Sequence, residues 1–165
     1  MFAKRIKRNS SLLSYLSITA PVSGSMFSIG EVQDEAFSRG YMGDGVAFDP
    51  IEGTVKAPIS GKILYIVETK HAIVIEHASG LQFLIHIGID TVDLQGEGFD
   101  VFVNYGDQVS VGDLLITFDL DRIKSAGYKP HVIVVVIGEQ NINHIECNFR
   151  NVVIAEPHAF RVVLS

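Results

Sequence analysis

Two of the six histidines in this chain, His71 and His86, stand where they could share one chemical task. His71-Ala-Ile-Val-Ile-Glu-His77 reads as a strand, and Leu81-Gln-Phe-Leu-Ile-His-Ile87 as its partner. Ala78-Ser79-Gly80 is the turn signal between them. A two-residue loop at Ala78-Ser79 and a four-residue loop from His77 to Gly80 give the same register. In that register His71 lies directly opposite His86. Opposed residues share a face, with Cα atoms about 4.5–5.5 Å apart. If Ser79-Gly80 is the loop, the pair becomes diagonal but keeps one face. Converging imidazoles suit a metal or a phosphoryl group. Neutral imidazole attacks phosphorus and can carry a covalent intermediate. A second ring can donate to the phosphoryl oxygens, and the Thr69 hydroxyl, two residues before His71, could hold that ring's tautomer. For zinc, two histidines are too few, so Asp90 or a partner carboxylate would have to complete the shell.

The elements that must hold these rings are short strands. Apolar runs are punctuated by Gly-Asp and Asn/Gly turns, as at Gly106-Asp107 and Gly112-Asp113, with Leu114 to Phe118 following. His131 to Ile137 is β-branched and apolar on both faces, which predicts a central strand. Helix is scarce: Asp119 could cap a short one over Leu120–Ala126, closed by Gly127. There is also an internal repeat. Ala20-Pro-Val-Ser-Gly-Ser-Met-Phe-Ser-Ile29 matches Ala57-Pro-Ile-Ser-Gly-Lys-Ile-Leu-Tyr-Ile66, and an apolar strand follows each copy. The expectation is an all-β fold: an antiparallel β-sandwich or barrel built from a duplicated motif, with only short helical segments.

The chain has 165 residues, 47% of them hydrophobic, which is enough for one compact core. A net charge of −6 argues against a nucleic-acid partner. The single cysteine, Cys147, cannot form an internal disulfide, which points to the cytoplasm; it reads as a small core or edge residue. Residues 1–18 read as a basic, flexible N-terminal segment and 19–165 as a single domain. The N-terminus loosely mimics a signal peptide, but serines break its apolar run and Pro21 would follow the cut. Lys4, Arg5, Lys7 and Arg8 could give it weak contact with an anionic membrane surface; a solvated tail is the preferred reading. For His77, His131, His144 and His158, a hydrogen-bonded core residue or plain exposure is sufficient.

The runs Ala57-Pro-Ile-Ser-Gly-Lys-Ile, Glu68-Thr-Lys-His-Ala72, Ile85-His-Ile-Gly-Ile-Asp-Thr-Val92 and Gly96-Glu-Gly-Phe99 carry a resemblance. Together they resemble the glucose-type enzyme IIA, the phosphocarrier of the bacterial phosphoenolpyruvate-dependent sugar phosphotransferase system. The resemblance runs from about Ala20 to Ile142. It implies an antiparallel β-sandwich that accepts a phosphoryl group from the small carrier HPr. The group then passes to a cysteine on a sugar-specific IIB domain, beside a membrane-bound IIC partner. By position, the resemblance makes His86 the phosphorylated nucleophile and His71 the stabiliser of the phosphoryl group. It makes Thr69 the hydroxyl that serves His71, and puts Asp90 at the edge of the site. Asp34 matches an acidic position suited to partner arginines. Phe37, Met42, Val67, Ile87 and Val92 match an apolar depression where partners dock. No cofactor is implied, and zinc at His71 and His86 would be adventitious or completed by a partner. The C-terminus departs from the family: Asn148-Phe-Arg-Asn-Val-Val-Ile-Ala-Glu-Pro-His158 stands where relatives have a Gly-rich turn.

Three other functions compete. A zinc hydrolase of similar β architecture would need an H-x-H pair, which the sequence lacks. A regulatory protein whose phosphorylation state is the signal fits as an added role. A lipoyl- or biotin-type carrier would need a lysine at a hairpin tip with suitable flanks.

Overall fold

The structure is a computed structural model describing residues 4–8, 11–138 and 142–165. The strands, in chain order, are β1 (Lys4–Arg8), β2 (Ser11–Ile18), β3 (Gly24–Ser28), β4 (Asp44–Pro50), β5 (Thr54–Lys56), β6 (Gly61–Ile66), β7 (Ala72–Glu76) and β8 (Gln82–Ile87). They continue with β9 (Phe99–Val101), β10 (Gln108–Val109), β11 (Leu114–Phe118), β12 (Val132–Ile137), β13 (Ile142–Cys147), β14 (Asn151–Val152) and β15 (Phe160–Leu164). Two short α-helices, α1 (Glu35–Ser38) and α2 (Leu120–Ser125), and two 3-10 turns, Ile29–Glu31 and Thr91–Leu94, complete the described elements. Among the described residues every strand pairing is antiparallel. An eight-stranded sheet runs β10-β6-β7-β8-β12-β4-β3-β14, and smaller sheets run β1-β2-β15-β13 and β5-β11-β9. The molecule is the expected β-sandwich with little helix.

The repeat seen in the sequence is a symmetry of the hydrogen bonds. Thr19 N–H donates to the Pro58 carbonyl, and Lys56 N–H, at the matching repeat position, donates to the Pro21 carbonyl, each at 2.9 Å. Ala57 O accepts from Gly112 N–H and Ala20 O from Ala155 N–H. Ser60 Oγ accepts from Val111 N–H and Ser23 Oγ from Ile154 N–H, both at 2.8 Å. The large sheet obeys the same relation: β10 on β6 mirrors β14 on β3, and β8 meets β12 at the centre. The turn that looked divergent in the C-terminus is therefore the mate of Val111-Gly112-Asp113. Its signature is hidden because Ala155, with φ of 67°, does what Gly112 does at 91°.

β12 is central, as its composition predicts, and it pairs with β8 on one side and β4 on the other. Its residues are buried on both faces. On the inner face, Ile73, Ile75, Phe83, Ile85, Ile87, Val132 and Val134 belong to the main core. On the outer face, Ala72, Val74, Leu84, Ile133 and Val135 form a second, smaller core with Val32 and Phe37. That small core is the floor of the site. α1 covers it, capped by Asp34, whose carboxylate accepts from Ala36 N–H at 2.9 Å. α2 begins where expected, with the Asp119 side chain accepting from Arg122 N–H, and Gly127 follows it at φ of 88°.

The stretch read as a flexible N-terminal segment contains β2, which pairs with β15. Leu16 and Ile18 alternate into the core at zero exposure. On the other face, Tyr15 lies under the Arg161 guanidinium and Ser17 Oγ meets His158 Nδ1 at 2.6 Å. The boundary at residue 18 thus ends on an ordered strand rather than a tail. The side chains of residues 1–12 lie outside the described residues, and with them the expected lipid contact of Lys4, Arg5, Lys7 and Arg8.

Candidate functional site

The hairpin joins the two histidines by a register different from the expected one. Its loop has three residues, with His77 N–H bonded to the Leu81 carbonyl and Gly80 at φ of 90°. A left-handed glycine at the last loop position is the usual solution for a three-residue hairpin. As a result Ala72, not His71, lies opposite His86. Strict alternation would then send His71 to the other face. It escapes because β7 begins only at Ala72, after a turn in which Lys70 N–H bonds to the Val67 carbonyl. Lys70 has φ of 64°, which swings the chain before the strand starts. The His71 carbonyl still accepts from Ile87 N–H at 2.7 Å, so the strand end is anchored beside His86.

The rings therefore converge. Their centroids are 4.9 Å apart and the planes cross at 84°, edge to face. Thr69 Oγ1 is 2.9 Å from His71 Nδ1, which pins that ring through one nitrogen and leaves Nε2 for other partners. The Phe37 ring tilts against His86 with centroids 5.0 Å apart. Nδ1 of His86 is buried, without a partner in hydrogen-bonding geometry. Nε2 is thus its reactive atom.

Burial dominates the electrostatics. It pushes the His86 pKa down to about 4, helped by the neighbouring His71; the Gly88 backbone and the Asp34 charge oppose it. The Gly88 backbone favours the charged ring only weakly, since no group meets Nδ1 in hydrogen-bonding geometry. Burial also lowers the pKa of His71, opposed by the Thr69 backbone carbonyl, which favours the protonated ring as an acceptor. Both rings are consequently neutral near pH 7, the state in which an imidazole nitrogen has a lone pair to give.

The loop after His86 shapes the site's edge. Gly88 has φ of 80°, and a Cβ there would meet Thr91 Cγ2 at 2.2 Å. Thr91 is fully buried, and its hydroxyl donates to the Ile87 carbonyl. Glycine at 88 and threonine at 91 are thus a matched pair that reverses the chain, a role the sequence reading did not assign. Asp90, at φ of 62°, is exposed where the 3-10 turn begins, with no capping bond from its side chain.

The expected docking residues divide. Met42 is 39% and Val92 49% exposed, and Val67 is partly buried at the small core. Phe37 and Ile87, however, are buried. Ile87 follows His86, so alternation turns it into the main core, away from any partner; Phe37 is the shelf behind the His86 ring. Among the other histidines, His77 is buried with Nδ1 against Ser79, and His144 lies beside Glu146. Cys147 is a half-buried residue of the edge strand β13, packed on the main core. A cavity of about 600 Å³ between β13 and β15 is lined by Glu146, Cys147, Arg150 and Arg161 and does not include the paired rings. Among the described residues, no group of three or more His, Cys, Asp or Glu could hold a metal ion. Among them too, no helix is long and apolar enough to cross a membrane.

A pair of neutral imidazoles, one pinned by a hydroxyl and the other with its Nε2 as the reactive atom, suits phosphoryl chemistry. Comparisons with known proteins agree. Residues 16–142 match the family described as phosphoenolpyruvate-dependent sugar phosphotransferase system, EIIA 1. A solved structure, the glucose permease IIA from Mycoplasma capricolum, is 34% identical and superposes with a TM-score of 0.78 over 88% of this chain and 95% of that chain. The chain belongs to the EIIA 1 family of the sugar phosphotransferase system and is a phosphocarrier of that system.

Proposed function

We propose that His86 Nε2 accepts a phosphoryl group from phosphohistidine on HPr and passes it to a sugar-specific IIB component. The observation that carries this reading is the edge-to-face pair, in which a buried ring held neutral, with its pKa about 4, presents one nitrogen beside a second imidazole. In the first step the His86 Nε2 lone pair attacks phosphorus. The N–P bond to the donor ring breaks, and that ring leaves with the electron pair. The proton on His86 Nδ1 stays, facing the Gly88 backbone. With the Thr69 hydroxyl donating to Nδ1 of His71, the Nε2–H of His71 is free to donate to a phosphoryl oxygen. In the second step an acceptor thiolate attacks the same phosphorus, and His86 returns to its neutral form.

Asp34 and Asp90 are suited to arginines or lysines on a partner. Met42, Val92 and Val67 supply apolar contact beside the rings. On this reading the protein works in the cytoplasm, in keeping with its single cysteine.

The test is reconstitution with phosphoenolpyruvate, enzyme I and HPr. Acid-labile, alkali-stable phosphate is expected on His86. Labelling that persists in a His86→Gln variant refutes the assignment. His71→Gln should accept phosphate but deliver it slowly, and forward transfer at the wild-type rate would remove His71 from the mechanism.

A further inference from the structure

Lys129 and His131 precede β12 and run beside the loop behind His86. Gly88 N–H donates to the His131 carbonyl at 2.8 Å, and Ile89 N–H to the Lys129 carbonyl at 2.9 Å. Ile133 lies directly opposite His86. Two residues earlier, His131 returns to the same outer face, and such diagonal neighbours are about 7–8 Å apart. The intervening position on the β8 side is Gly88, which has no side chain to block the way.

His131 is built into this corner. Its side chain is only 18% exposed, and its Nε2 is 4.0 Å from Asp49 Oδ1. Its ring meets Phe27 edge to face at 4.8 Å, and its Nδ1 is buried with no partner. Lys129 and Lys124, from the last turn of α2, are exposed. They line a cavity of about 380 Å³ together with His131, Asp49 and Tyr128. Among the described residues, neither ammonium has a carboxylate within 4.0 Å.

This concentration runs against the chain's overall balance of 13 basic to 19 acidic residues. Two lysines and a histidine that burial keeps neutral stand around one acid, on the loop side of the histidine site. Asp34, the cap of α1, is a negative charge near enough to act on His86. The rim of the site therefore has two signs of charge, and a partner seated over His86 meets both. We propose that Lys124 and Lys129, with His131 in the wall of the same cavity, form a specificity contact that receives a carboxylate of the protein partner docked over His86. The proposal rests on the phosphocarrier reading above, and charge complementarity with continuity to the His86 loop selects the occupant.

Steady-state phosphotransfer with HPr as donor and a IIB domain as acceptor tests it, using the full chain and a Lys124→Glu/Lys129→Glu variant. Reversing both charges should raise KM for at least one partner on the order of tenfold, with kcat within about twofold. The variant should also lose part of the wild-type rise of KM with salt. His131→Gln should shift the same partner's KM in the same direction, by less. Wild-type KM and salt dependence for both partners in the charge-reversed variant overturns the proposal. Saturable shifts of Lys129 and His131 with inorganic phosphate, together with unchanged KM, would make the cavity a free-anion site and overturn it as well. If the wild-type chain takes no phosphate on His86 at all, it is the phosphocarrier reading that fails, and the two failures are distinct.

Discussion

Moving from pH 7.5 to pH 5 should destabilise the wild-type protein relative to a His86→Gln variant by about 2 kcal/mol. In the folded state burial holds the His86 pKa at about 4, whereas an unfolded histidine titrates near its ordinary value of 6.5. The folded pKa is the lower one, so the contribution of the neutral buried ring is full above pH 6.5. It is lost as pH falls toward 4, because the unfolded chain binds the proton first. At pH 5 the unfolded ring is almost wholly charged and the folded ring is about 90% neutral, and linkage over that interval amounts to about 2 kcal/mol. His71 shifts in the same direction and is present in both proteins, so the comparison reads His86 together with its coupling to His71. Urea denaturation of both proteins at several pH values between 7.5 and 5 measures the slope directly. Only the change with pH matters, so a different starting stability of the variant does no harm. If the two proteins lose stability in parallel, within about 0.5 kcal/mol, the ring is not held neutral by burial and the argument for its nucleophilic state collapses.

Three further outcomes follow from named contacts. Replacing Thr69 by valine removes the 2.9 Å contact to His71 Nδ1 and should slow onward phosphoryl transfer about fivefold, the equivalent of one ordinary hydrogen bond; single-turnover transfer kinetics read it. Gly88→Ala must place a Cβ at 2.2 Å from Thr91 Cγ2 in a left-handed conformation, and should cost about 2–3 kcal/mol in thermal or denaturant unfolding. Ala155→Gly relieves an alanine held at φ of 67° and should raise stability by about 1 kcal/mol; no gain would mean that the turn relaxes without strain.

Much of the fold is legible in the sequence. The strands around Leu114–Phe118 and His131–Ile137, the Asp119 cap and the Ala-Pro repeat follow from short-range chemistry, and the structure has them all. What failed was arithmetic of a single residue. A three-residue loop in place of two or four shifts the hairpin by one, and the pairing of His71 with His86 survives only because Lys70 bends the chain outside the strand. No propensity marks lysine for that conformation, so the correct meeting of the rings was expected for the wrong geometric reason. Ile87 illustrates the complementary error. Its position in the motif suggested the docking surface, but its parity with Ile85 commits it to the core. The C-terminal turn was hidden because alanine replaced the glycine that would have announced it. Phe37 and Asp34 meet His86 through tertiary packing across a long stretch of chain, which local pattern cannot specify.

The interlocked repeat also bears on how the molecule opens. β8 and β12 are the strands through which the two halves join, and β14, near the C-terminus, closes the edge of β3. Neither half can detach without tearing the central ladder, so the amides flanking His86 should exchange with solvent only in the rarest, most complete openings. If His86 carries the phosphoryl group as proposed, the residue modified and restored in each turnover is mounted on what should be the slowest-breathing part of the protein.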